Sequence, residues 1–290
     1  MIIKKVEELL GAECIGSYDS GHMGSSILRF QYNEKDRGKF VVKFAPADDA
    51  MAMMDIEANM RGYRKIKTIG GSRLTPSGLR EIPVANGKAL VMNDLGSSMR
   101  VGDGGLDACV LMWRHFSRAI SQTTVQMDTN SIRFPMFVTE VIRHIERFSH
   151  GRVSNLVGAI RESDWIDECG KVAIMLLDFT PDNLFVNETR LSFIDPWNQE
   201  MYLGHPAVSI GQFVSLMKLY DMRDADKSAF VLKECCMDEL PSILECDVSL
   251  VERAFRLGAT LQFVLSSYVR QKSDPSRAAS LLVEACNLWR

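Results

Sequence analysis

The sequence predicts an α+β chain of two unequal parts, a small β-rich first third and a larger helical remainder. Two observations carry this. The runs ILRFQY (27–32) and KFVVKFA (39–45) are rich in β-branched and aromatic residues and flank the polar stretch NEKDRG, which reads as an antiparallel hairpin. Beyond about residue 98 the apolar residues recur at helical spacing, and only two short apolar runs, around 172–177 and 184–194, read as strands.

The elements follow in order. Ile3, Val6, Leu9 and Leu10 share one face of a helix over 2–10, and Gly11 stands where such a helix stops. A Gly/Ser-rich stretch from Gly16 to Ser26 precedes the hairpin. Residues 49–67 return to helical spacing, Pro76 and Pro83 punctuate a loop region, and KALVMNDLG (88–96) reads as a buried strand running out into a loop. Helices are expected over 106–127, 135–148, 205–220, 248–271 and 276–289. The change of character near 94–98 divides the chain into 1–95 and 96–290, with no internal repeat and no low-complexity segment.

The totals limit the function classes. A length of 290 residues is ample for a buried core, and a formal net charge of -3 gives no push toward nucleic acid or an anionic membrane. Seven cysteines, at 14, 109, 169, 235, 236, 246 and 286, include no CxxC pair, which suits a reducing cytoplasm rather than a disulfide framework or a zinc site. The start, MIIKKVEELLGAE, does not have the form of a signal peptide, and no apolar run approaches the ~18 residues that span a bilayer.

The segment LLDFTPDNLFVNETRLSFIDPW (176–197) concentrates the chemistry. Phosphoryl transfer gives a reason for each part. An acceptor hydroxyl needs a carboxylate to orient it and take its proton, which Asp178 can supply. A divalent cation bridging phosphates needs hard oxygen ligands, which Asn183 and Asp195 can supply. A β-hairpin between those two residues would bring them together. The plainer alternative is a Pro-containing turn followed by an ordinary hairpin.

The first third adds to this. Lys43 stands inside the apolar strand FVVKFA, where an unpaired ammonium is costly. Glu57, on the following helix, is expected to pair with it and fix it against nucleotide phosphates. The plainer alternative is a lysine that snorkels from an edge strand and a solvated glutamate. SGHMGSS (20–26) can wrap phosphates with backbone N–H groups, yet no GxxxxGK[ST] occurs and no clear dinucleotide fingerprint is present.

Taken in order, the Gly/Ser loop, the FVVKF lysine, the helical glutamate, LVMNDLG, DFTPDN, FIDPW and GHPAVSIGQF resemble the aminoglycoside phosphotransferase and choline kinase-type family of the protein kinase-like superfamily, from about residue 16 to about 215. The resemblance implies a bilobal kinase-like fold, with residues 1–95 as a nucleotide-binding N-lobe and 96–290 as a helical C-lobe holding the catalytic loop and acceptor site. It implies ATP (GTP as an alternative) and Mg2+, and a hydroxylated small molecule as acceptor, with no nucleic-acid or membrane partner. Position by position, Asp178 matches the catalytic base, Asn183 and Asp195 the metal ligands, Lys43 the phosphate lysine and Glu57 its partner. Met92, Asn93 and Asp94 match the hinge at the adenine edge, and Gly21, Gly24, Ser25 and Ser26 the phosphate-covering loop.

Three positions depart from the family pattern. Leu176 replaces the histidine that braces the catalytic loop, His205 replaces the aspartate of "GDP", and Ser209 replaces a later aspartate and is expected to cap a helix. None of these removes a group expected on phosphate or metal. The loss at Leu176 leaves open a binding-only, pseudokinase-like protein. A third alternative keeps the fold but changes the chemistry, to phosphorylation of a protein or nucleotidyl transfer.

Overall fold

The computed structural model describes residues 2–18, 25–34, 38–84, 87–99, 105–126, 136–163, 165, 170–196, 199 and 202–290. Helix α1 (Ile2–Leu10) leads into strands β1 (Ala12–Tyr18), β2 (Ser26–Tyr32) and β3 (Lys39–Pro46). Helix α2 (Ala50–Thr68) follows, then a single 3-10 turn (Ser72–Leu74), and β4 (Arg80–Val84) and β5 (Gly87–Asn93) complete a five-stranded antiparallel sheet in the order β1-β2-β3-β5-β4. Two of these strands were not expected. Pro83, read as loop punctuation, lies in β4, and this is allowed because β4 is an edge strand. Residues of the Gly/Ser stretch form the end of β1, which is the other edge.

Alternation along β3 decides which side chains reach the site. Phe40, Val42 and Phe44 face a core shared with Val6, Phe30, Ile82 and Val91, where the Phe30 and Phe40 rings stack at 5.3 Å. Val41, Lys43 and Ala45 point the other way, toward Ala52, Ile56, Met60 and Tyr63 of α2. The period of two thus carries Lys43 to the α2 face of the sheet, where it is 4% exposed.

The remainder is helical: α3 (Leu106–Thr123), α4 (Met136–Ser149), α5 (Ser154–Glu162), α6 (Ala207–Leu219), α7 (Ala225–Leu244), α8 (Val248–Arg270) and α9 (Pro275–Asn287). Short strands β6 (Val125–Gln126), β7 (Lys171–Ile174) and β10 (Leu203–Gly204) form one small sheet, and β8 (Leu184–Asn187) and β9 (Arg190–Phe193) form a hairpin. Helices α5 and α7 were not expected. Helix α7 carries Pro241 inside it, a residue that ordinarily argues against a helix interior.

Helix α6 is the hub of this part. Every residue from Ala207 to Met217 is buried, as in a helix packed on all sides. It crosses α8 at two glycines: a β-carbon on Gly211 would lie 2.0 Å from the Phe255 carbonyl oxygen, and one on Gly258 would lie 1.9 Å from that of Val208. Any larger residue would push the helices apart. No helix among the described residues is long and apolar enough to cross a membrane.

Candidate active site

Two loops and one strand meet α2. The first loop follows β7. Leu177 and Phe179 are fully buried, and the Phe179 ring stacks on Phe116 at 4.7 Å and lies 6.1 Å from both Phe193 and Phe213. Anchored on both sides, Asp178 takes a left-handed conformation, φ 62°, which is uncommon for a residue with a side chain. Asn183 holds it: its side-chain N–H group donates to the Asp178 carbonyl at 3.1 Å and to the carboxylate at 2.9 Å. Burial pushes the Asp178 carboxyl up to about 7; the Asn183 bond opposes the rise, and the negative charges of Asp195 and Asp182 add to it.

The β8–β9 hairpin then returns the chain to the same place. Leu184 faces Phe193 at its open end, and the Ile194 N–H donates to the Asn183 carbonyl at 2.9 Å. Asn183 and Asp195 therefore flank one end of the hairpin. Asp195 is also left-handed, φ 49°, and its backbone N–H donates to the Tyr63 hydroxyl of α2 at 3.2 Å. Helix α2 packs closely on this turn, since a β-carbon on Gly62 would lie 2.8 Å from Pro196.

Lys43 ties the parts together. Its ammonium lies 2.7 Å from Asp195, 2.9 Å from Asp55 and 3.3 Å from the Asn59 side-chain oxygen. Burial works to lower its pKa, but the two carboxylates outweigh it and hold the pKa above the ordinary lysine value. Ser25, fully buried, donates to Asp55 at 3.2 Å and joins the chain before β2 to the same cluster.

This corrects the expected partner of Lys43. Glu57 does not reach it; Glu57 pairs with Lys88 at 2.6 Å and stands 4.0 Å from Arg61 on the outer side of α2. The reason is helical phase. The buried stripe of α2 includes Ala52, Ile56, Asn59, Tyr63 and Ile66. At 100° per residue, Asp55 lies about 60° from the centre of that stripe and Glu57 about 140°. That stripe is the signal by which Asp55 could have been found.

The strand end at Met92, Asn93 and Asp94 also differs in detail. The Asn93 N–H donates to the Ser77 carbonyl and the Asp94 N–H to the Lys39 carbonyl, both at 2.9 Å, so neither amide is open to a ligand. The Asp94 carboxylate accepts from Arg29 at 2.5 Å and from the Gly96 N–H at 3.0 Å. Ser26 begins β2, while Gly21 and Gly24 lie outside the described residues.

The departures from the family pattern acquire a physical reading. The Leu176 N–H donates to the Ser209 hydroxyl at 2.9 Å, so Ser209 holds the loop and is not a helix cap. Gln199 clips the same loop twice, accepting from the Leu177 N–H and donating to the Met175 carbonyl, each at 2.8 Å. These two residues support the loop where Leu176 cannot. Burial holds the His205 imidazole down at about 3, so it stays neutral; its Nδ1 accepts from the Ala207 N–H at 3.3 Å, at the start of α6.

The donor set suits a hard, hydrated cation. Asn183 turns its N–H group to Asp178, which leaves its side-chain oxygen for another partner, and Lys43 contacts one carboxylate oxygen of Asp195. No cluster of three or more His, Cys, Asp or Glu side chains placed to hold a metal occurs among the described residues. One amide and one carboxylate match Mg2+, which keeps several waters and shares phosphate oxygens.

No protein-family model matches this sequence, and no curated protein matches it. Solved structures do. Ethanolamine kinase from Plasmodium vivax aligns with a TM-score of 0.59 at 10% identity, covering 97% of this chain and 84% of that one. Choline kinase from Cryptosporidium parvum Iowa II aligns at 0.56 and 10% identity, covering 99% and 94%. Spectinomycin phosphotransferase APH(9)-Ia, solved with ADP and spectinomycin, aligns at 0.54 and 11% identity, covering 99% and 96%. An antiparallel sheet followed by a helical part, joined across Lys43 and Asp195, is thus the protein kinase-like fold, built as in these small-molecule kinases.

Proposed function

We propose that this chain is a phosphotransferase that moves the γ-phosphate of ATP to a hydroxyl group of a small molecule. The observation that carries the reading is the junction of Lys43 with Asp55 and Asp195 beside the Asp178–Asn183 pair. Lys43 is held where an ammonium would meet nucleotide phosphates, and Ser25, bonded to Asp55 just ahead of β2, would lie beside them. Asn183 and Asp195 would hold Mg2+, which supplies neutralising charge on the phosphate oxygens. Because the Asn93 and Asp94 N–H groups are already bonded, the Leu95 N–H, the first backbone donor past Asp94, would serve the adenine edge beside the carbonyls of Met92–Asp94.

Asp178 orients the acceptor. Its carboxylate accepts the hydroxyl proton as the hydroxyl oxygen bonds to the γ-phosphorus and the bond to the bridging oxygen of ADP breaks. A pKa near 7 suits this role, because a base works best when its pKa lies close to the working pH. The Asn183 bond keeps the carboxylate aimed, and the left-handed backbone presents it. Ethanolamine, choline and aminoglycosides, the substrates of the structural neighbours, form the first acceptor panel. The Gln199 and Ser209 bonds to the catalytic loop favour turnover over a binding-only role.

The test is ADP release across that panel, together with unfolding in the presence and absence of Mg·ATP. Mg·ATP at ~100 times its dissociation constant is expected to add about 2.7 kcal/mol of stability. Asp178→Ala is expected to keep that gain and lose turnover, and Asp195→Ala to lose both. Full turnover by Asp178→Ala would remove it as the base. No response to ATP or GTP by the folded wild type would overturn the assignment.

A further inference from the structure

The turn end of the β8–β9 hairpin, roughly 15 Å along the strands from Asn183 and Asp195, opens onto a cavity of about 320 Å3. Its polar lining is Ser72, Arg73, His115, Arg118, Thr189 and Arg190. Three guanidinium groups arrive from three separate elements: Arg73 from the 3-10 turn, Arg118 from α3 and Arg190 from β9. Among the described residues, no acidic residue lines the cavity and none of the three arginines forms an ion pair. The nearest acid in sequence, Glu188, is exposed in the hairpin turn and is not part of the lining.

Arg190 is the most constrained of the three. It donates to the Thr75 carbonyl through one terminal nitrogen, while its Nε–H is buried with no partner. Burial pulls its pKa down, and no neighbouring anion offsets this. A chain with 37 acidic residues and a net charge of -3 has no compositional reason to gather unpaired guanidinium groups in one cavity. Like charges brought together cost free energy, and a multivalent anion removes that cost.

We propose that this cavity is a phosphate-binding site separate from the nucleotide cleft. The guanidinium forks of Arg73 and Arg118 match the paired oxygens of a phosphate, and Arg190, tied in part to Thr75, adds a third positive charge from another element, a set that suits a tetrahedral dianion better than a monovalent carboxylate. The volume lies at the lower end of ordinary ligand pockets, roughly 300–1,000 Å3, enough for a phosphate with a small organic group attached. The shared chemistry is the phosphate group, either free or carried on a small molecule.

The test is calorimetric titration of the metal-free protein with inorganic phosphate and, separately, with glycerol 3-phosphate. Both should bind the wild type, and tighter binding of the ester would identify a phosphorylated small molecule as the occupant. Arg73 and Arg118 are exposed, so Arg73→Ser/Arg118→Ser should fold, and it is expected to weaken both ligands by roughly a hundredfold. Arg118→Glu alone is expected to weaken them by at least about tenfold. Mg·ATP binding, followed by thermal shift, should persist in both variants, which separates this site from the nucleotide cleft. Absence of phosphate binding by the wild type, or unchanged affinity in both folded variants, would overturn the proposal.

Discussion

The two ends of the β8–β9 hairpin handle charge in opposite ways. At the open end, one buried ammonium meets two carboxylates, and a third carboxylate, Asp178, is held by an amide. At the turn end, three arginines line one cavity with no carboxylate among the described lining residues. Opposite charges meet where the two parts of the chain join, and like charges gather where we propose that a ligand completes the site. A short hairpin thereby holds two kinds of site, one in which carboxylates outnumber a single buried ammonium and one awaiting an anion.

The largest way to break this contrast is Lys43→Met, which leaves Asp55 and Asp195 facing one another without a cation. Loss of one partner of a buried pair costs about 3–5 kcal/mol, and the 36% exposure of the Asp195 side chain puts the expected loss at the low end of that range. Urea unfolding measures it. A loss below about 1 kcal/mol would reduce the junction to a surface ion pair. Turnover should disappear with it.

Gln199→Ala comes next. It leaves the buried Leu177 N–H and Met175 carbonyl without their partner, at a cost of about 2–3 kcal/mol. Because Gln199 acts by positioning the loop, kcat should fall about 10- to 100-fold with the KM for ATP nearly unchanged. Gln199→Glu keeps the acceptor and loses the donor, so it should recover only part of the loss. Equal falls in kcat and ATP affinity would assign Gln199 a general structural role.

Asp178→Asn sharpens the comparison from the other side. The folded-state pKa of Asp178, about 7, lies above the ordinary carboxylate value of 3.8, so the fold binds its proton more tightly than the unfolded chain does. Stability therefore falls as pH rises from about 4 to about 7 and stays reduced above that. At pH 8 the neutral variant should make the metal-free protein more stable, by on the order of 1–2 kcal/mol once the partial exposure of the side chain is allowed for. At pH 4 the two proteins should unfold together, while the variant transfers no phosphate at any pH. The smallest effect belongs to Glu57→Gln, which should leave nucleotide response and turnover unchanged, whereas Asp55→Asn should reduce both.

Much of this was legible in the chain. The hairpin at 27–45, the helical second part and the DFTPDN–FIDPW segment follow from periodicity and residue chemistry, which act over a few residues. The strands β1 and β4 were hidden by Gly16 and Pro83, which edge strands tolerate and central strands do not. Helices α5 and α7 were hidden for a related reason: helix stability comes mostly from packing, and packing overrides a residue such as Pro241.

The sequence by itself determined which groups are present: a lysine inside a strand, acids along one helix, and an Asp-Asn-Asp set at hairpin spacing. Tertiary structure decided which of them meet. Asp55 rather than Glu57 reaches Lys43 because helical phase turns Asp55 toward β3 and Glu57 toward Lys88 of β5. Gln199 and Ser209 reach the Asp178 loop through the fold, since they lie 22 and 33 residues beyond the groups they bind, a separation no local pattern reports. Arg73, Arg118 and Arg190 share a cavity for the same reason. Short-range rules settle what a segment forms, whereas electrostatic partnership depends on distances that only the folded chain establishes.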